Sequence, residues 1–83
     1  MNADAIEERV LTLLAPHVRN GIEPRPETDI VADAGMDSVA VMDFVLDLEE
    51  SFDVTIPLDR LSDVRTVRDV VREVRAIVGE SAH

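Results

Sequence analysis

The sequence predicts an all-α fold: a four-helix bundle of three main helices and one short one, with a long loop between the first and second. Three observations carry this. Apolar residues recur at helical spacing in three separate stretches. A β reading is open only at VVREV (70–74), where the helical repeat is the stronger pattern, so no sheet is expected. Pro, Gly and capping residues fall between the stretches, where helices have to start and stop. The chain has 83 residues, so it is expected to form one domain over 1–83.

The first helix is expected over 4–15, DAIEERVLTLLA, where Ile6, Val10, Leu13 and Leu14 share a face. Asn2 or Asp4 would cap it. Pro16 would clash with the carbonyl of Thr12, so the helix is expected to end or kink there. Residues 20–36 form the long connection, marked by Asn20-Gly21, Pro24 and Pro26. A loop this long in a compact domain is functional or holds a short turn, and Ile30 and Val31 are expected to anchor it to the core.

The second helix is expected over 38–51. Pro57 suits the first position of a short helix reaching Leu61. The last helix begins at Thr66, because Thr66-Val67-Arg68-Asp69 has the capping-box pattern. Val67, Val70, Val71, Val74, Ile77 and Val78 then repeat at helical spacing. Valine is a mediocre helix former, so core packing has to hold this segment as a helix.

Composition removes several function classes. There is no Cys, hence no disulfide and no thiolate zinc site. No apolar run approaches bilayer length, and the acidic N-terminus lacks an apolar signal core. A cytoplasmic monomer is the expectation. The formal net charge of −10 opposes nucleic-acid binding. It is concentrated in the middle of the chain: residues 27–63 hold eleven acids and one Arg, and the flanking segments nearly balance. A basic partner surface is the natural complement. Catalysis has little to work with. His17 and His83 lack companions at metal-binding spacing, Gly35-Met36-Asp37-Ser38 is not a Gly-x-Ser-x-Gly elbow, and the acids do not match a calcium loop.

The second helix has more apolar surface than a core stripe requires. Val41, Phe44, Val45, Leu48 and Phe52 fall within roughly 100° of arc and form the expected core stripe. Val39, Met42 and Leu46 form another stripe, centred roughly 130° away. Asp43, Asp47 and Glu50 flank it on one side, Glu49 and Asp53 on the other. Either the buried face is wide, or this is a narrow exposed strip with acidic margins that receives a basic surface. At the head of the helix, Asp37 or Ser38 is an ordinary cap. Alternatively, Ser38 presents its hydroxyl where unpaired backbone N–H groups favour an anion.

Taken together, these segments resemble the acyl carrier protein family. Asp37-Ser38-Val39 resembles the family's attachment motif. Asp33-Ala34-Gly35-Met36 resembles its lead-in, and LDLEESFDVTIP (46–57) its acidic helix end and Ile-Pro. The resemblance implies a bundle whose Ser38 carries a 4′-phosphopantetheine arm. A phosphopantetheinyl transferase attaches the arm from coenzyme A, and its thiol holds acyl groups as thioesters for acyl-transferring or acyl-processing enzymes. Asp37, Val39, Met42, Asp43, Leu46, Asp47 and Glu50 would then meet the basic docking surfaces of those partners. Val39 stands where the family usually has Leu, Ala34 also replaces a Leu, Ala40 stands where an acid is common, and there is no Lys. These departures point to a specialised stand-alone carrier of lipid or secondary metabolism. The alternatives are an aminoacyl or peptidyl carrier of the same fold, or an acidic interaction module with Ser38 unmodified.

Overall fold

The computed structural model describes residues 3–81, with side chains described for 5–79. It contains three α-helices: α1 (Ala3–Leu14), α2 (Ser38–Phe52) and α3 (Val67–Ser81). Two short 3₁₀ turns, Ala15–His17 and Leu58–Leu61, complete the element order. No strand occurs among the described residues. The expected cap from Asn2 or Asp4, and the tail residue His83, lie outside the described side chains.

Helix α1 packs on both α3 and α2. Its buried row is Ile6, Val10 and Leu14, while Leu13 is only partly covered. Pro16 acts as expected: the α-helix stops at Leu14 and tightens into the 3₁₀ turn. From α3 come Val67, Val70, Val71, Val74 and Ile77, so packing does hold this valine-rich segment as a helix. From α2 come Ala40, Phe44, Val45 and Leu48. The expected core stripe on α2 is too wide at its edges: Val41 and Phe52 are partly exposed. Phe44, 1% exposed, is the buried aromatic. Phe52 sits at the end of α2 beneath Arg9, whose guanidinium lies 5.2 Å from the ring centre and also donates to the Ser51 carbonyl.

The long loop is ordered by its own hydrogen bonds. Asp29 Oδ1 accepts from the N–H groups of Val31 and Ala32, and the Asp29 carbonyl accepts from those of Asp33 and Ala34. This closes a helical turn over 30–34. Such a turn points Ile30 and Ala34 to the same side, and both are buried. Val31 therefore points outward and is 64% exposed, which corrects the expectation that it anchors the loop. Ala34 and Met36 do that instead.

The same loop finishes α3. The Val67 N–H donates to the Thr28 carbonyl and the Arg68 N–H to the Pro26 carbonyl. The Asp69 N–H donates to Thr66 Oγ1, and Asp69 Oδ2 accepts from the Thr66 and Arg65 N–H groups. The capping box is thus formed as expected, and loop carbonyls satisfy the neighbouring donors of the first turn. Thr28, buried here, is itself satisfied, its hydroxyl accepting from the Arg25 N–H.

At the other end of α2, Asp53 takes the left-handed conformation (φ 54°, ψ 51°) that ends a helix. Glu49 Oε2 accepts from the Ile56 N–H at 2.9 Å and draws the following segment back onto the helix. Ile56 is buried. Pro57 caps the Leu58–Leu61 turn instead of occupying its first position.

Two measurements test this packing. In denaturant melts Phe44→Ala should cost about 3–5 kcal/mol, and Phe52→Ala clearly less, because its ring keeps solvent contact. The second concerns acid. The N–H donors of Thr66 and Arg65 hold the Asp69 carboxyl below the ordinary value of an aspartate. A depressed carboxyl contributes stability above the unfolded pKa and loses it as pH falls through the folded one. The stability gap between the wild type and Asp69→Asn should therefore be constant above about pH 5 and shrink on acidification below about pH 4.

Candidate functional site

The segment 35–39 shows why each residue type is needed. Gly35 has φ +70°, a left-handed conformation in which any side chain is strained. It turns the chain from the 30–34 turn towards α2. Met36 follows and is fully buried. Asp37 then has extended backbone (φ −89°, ψ −178°), and its Oδ1 accepts from the Ala40 N–H at 2.8 Å. Asp37 is therefore the N-cap, and Ser38 is the first helical residue.

This assigns the cap to Asp37 and not to Ser38. The Ser38 hydroxyl is exposed, and no described residue hydrogen-bonds it. The Ala40 N–H is taken by the Asp37 side chain and the Val41 N–H by the Asp37 carbonyl. The Ser38 and Val39 N–H groups have no described partner, and donors at a helix start favour an anion. Arg19, far away in sequence, lies with a guanidinium nitrogen 3.9 Å from Asp37 Oδ1. It is brought there by its own N–H donating to the Ala34 carbonyl and by the Asn20 side chain bonding the Asp33 carbonyl. Beside Ser38 runs an open groove walled by Val31, Met36, Val41, Met42, Leu58 and Leu61.

The second apolar stripe faces solvent. Val39 is 63% exposed, Met42 43% and Leu46 54%. The wide buried face is thereby overturned for these three residues. Asp43 and Glu50 are exposed beside the stripe. Asp47 differs from expectation. Its Oδ2 lies 2.6 Å from His17 Nε2, and the imidazole leans on Phe44 with ring centres 6.0 Å apart. Asp47 thus joins α2 to the end of α1 and is only half open to a partner. On the other margin, Glu49 holds Ile56 and Asp53 ends the helix, so neither is simply a flanking charge.

Sequence reasoning missed Arg19, Val31, Leu58 and Leu61 near Ser38, and His17 as the partner of Asp47. None shares helical periodicity with α2, so nothing local marks them.

A family model described as "Phosphopantetheine attachment site" matches residues 8–74. An acyl carrier protein of Syntrophobacter fumaroxidans is 34% identical over 73 residues, covering 84% of this chain and 88% of that protein. This chain belongs to the acyl carrier protein family. A Caulobacter vibrioides protein with an acyl carrier name is 45% identical over 49 residues, covering 59% of this chain and 57% of that one. Among solved structures, an acyl carrier protein from Mycobacterium tuberculosis superposes with a TM-score of 0.77 at 25% identity, covering 86% of this chain and 96% of that chain. The acetyl actinorhodin acyl carrier protein from Streptomyces coelicolor gives a TM-score of 0.65 at 26% identity, covering 98% and 94%. Members of this family are carriers rather than enzymes, and their cofactor is 4′-phosphopantetheine. The chemistry at the head of α2 fits that group: an uncommitted hydroxyl, two unpartnered N–H groups for a phosphodiester, and an apolar-walled groove alongside. No helix among the described residues is long and apolar enough to cross a membrane.

The cap and the hydroxyl separate experimentally. Asp37→Ala should lower stability by about 1 kcal/mol. Ser38→Ala, which removes an exposed and unbonded hydroxyl, should stay within about 0.5 kcal/mol of the wild type in the same melts.

Proposed function

We propose that this chain carries acyl groups on a 4′-phosphopantetheine arm attached to Ser38, and presents them to partner enzymes of lipid or secondary metabolism in the cytoplasm. The observation that carries this is the exposed, unbonded Ser38 hydroxyl one residue inside a helix that Asp37 already caps. Once attached, the arm supplies a terminal thiol that holds the acyl group as a thioester. The protein's part is presentation. Ser38 offers its Oγ to the transferase, and no described side chain is bonded to it to take its proton, so the base comes from the transferase. The first-turn N–H groups and Arg19 offset the charge that a phosphodiester brings near Asp37.

Docking follows the outward side of α2. Val39, Met42 and Leu46 form the strip that loses water on contact. Asp37, Asp43 and Glu50 steer a basic rim towards it, with Asp47 contributing less because His17 holds it. The acyl carrier names of the relatives favour acyl over aminoacyl cargo. One structural neighbour is an acetyl-bearing actinorhodin carrier, which fits a short acyl cargo. The departures at Ala34, Val39 and Ala40 from the usual family residues support a specialised carrier of lipid or secondary metabolism.

Incubation with coenzyme A and a phosphopantetheinyl transferase should add one phosphopantetheine to the wild type by intact mass, and none to Ser38→Ala. An adduct that persists in Ser38→Ala removes the assignment. In the same assay Asp43→Arg should slow modification with an unchanged melt. Met42→Ala should also slow it, while costing well under the loss from Phe44→Ala. If Met42→Ala melts like a core truncation and leaves the rate intact, the docking strip is wrong.

A further inference from the structure

Helix α3 has an outward face for which the carrier reading has no use. Arg68, Arg72 and Arg75 lie on it, roughly 130° around the helix from the centre of the buried valine arc. Arg65 continues the row just before the first turn. All four are exposed, and none forms an ion pair with a described residue. The spacing is self-repelling. Arg68 and Arg72 are four apart, Arg72 and Arg75 three, and like charges at these separations destabilise a helix. Asp69, the acid within the row, has its carboxylate bonded to the Arg65 and Thr66 N–H groups and acts on Arg72 only through space. A chain with eighteen acids and eight arginines thus sets half of its arginine charge in one row that pairs with no described acid.

We propose that this face of α3 is a docking site for a short acidic polypeptide segment of a partner protein, distinct from the α2 strip. Charge complementarity selects the occupant. Arg68 to Arg75 covers about 10 Å along the helix, a length matched by a few carboxylates on one or two turns of peptide. A nucleic acid or an anionic membrane is far more extended and meets the acids of a chain with net charge −10 as well. At physiological salt the Debye length is about 8 Å, so a short segment on this row feels its arginines more than the acids of α2.

The test is an NMR titration of isotope-labelled full-length protein with an oligoglutamate peptide at low salt, with affinity read by fluorescence anisotropy of the labelled peptide. Shifts should fall on α3 around Arg68, Arg72 and Arg75, and affinity should weaken as salt rises. The triple variant Arg68→Glu, Arg72→Glu, Arg75→Glu should bind about tenfold more weakly or worse, with an unchanged rate of transferase modification at Ser38. If that variant does not fold, the triple Arg→Gln variant takes its place. Absence of shifts, shifts elsewhere, or a triple variant that binds as tightly as the wild type overturns the proposal. So does tighter binding of a DNA oligonucleotide or phosphatidylglycerol vesicles through the same arginines, which makes the face a polyanion site. The peptide readout does not involve the arm, so it separates from any failure of the Ser38 assignment.

Discussion

The hydrogen bond from the Ala40 N–H to Asp37 Oδ1 governs how the head of α2 is used. A helix start leaves several donors without partners, and some side chain has to meet them. Because Asp37 does so, the next residue is free of that duty and its hydroxyl faces solvent. The bond in turn depends on the two residues before it. Gly35 supplies a left-handed backbone conformation that other residues adopt only with strain, and Met36 buries its side chain so that Asp37 arrives at the surface in extended form. A cap, a plug and a turn together place one serine.

The loop between α1 and α2 is the second device, and it serves both ends of the molecule. Its carbonyls at Pro26 and Thr28 receive the first donors of α3, while its Asp29-centred turn delivers Gly35 and Met36 to α2. It also carries Arg19 to Asp37. A connection that looks irregular in sequence is thus tied down by backbone hydrogen bonds, as buried polar groups require. This explains how so long a segment can border the candidate site without giving up its position.

Charge is divided along the same lines. Acids dominate residues 27–63, where α2 turns an apolar strip to solvent, and several have structural duties as well: Asp29 closes a turn, Asp37 caps, Asp47 meets His17, Glu49 holds Ile56. Asp43 and Glu50 are left exposed beside the strip. Four of the eight arginines, Arg65, Arg68, Arg72 and Arg75, fall on or just before α3. An acidic surface with a short apolar strip suits partners with basic rims, since complementary fields raise encounter rates and the strip supplies desolvation.

Much of this was legible in the sequence because it depends on local rules. Periodicity located all three helices, Pro16 stopped the first, and Thr66 with Asp69 announced the last. The two stripes on α2 were separable by angle alone, and Asp37-Ser38 within its flanking motifs marked the candidate site. Tertiary structure decided what periodicity cannot express. Whether the second stripe was covered depended on where α1 and α3 lie, and they leave it open. Val31 turned outward because the Asp29-centred turn within the loop set its phase. Phe52 stayed partly exposed because α2 ends at the rim of the core. The pairing of His17 with Asp47 and the approach of Arg19 to Asp37 join residues far apart in the chain. Such contacts arise only once the loop has folded back, because a local pattern records which face a residue occupies but not what comes to meet it.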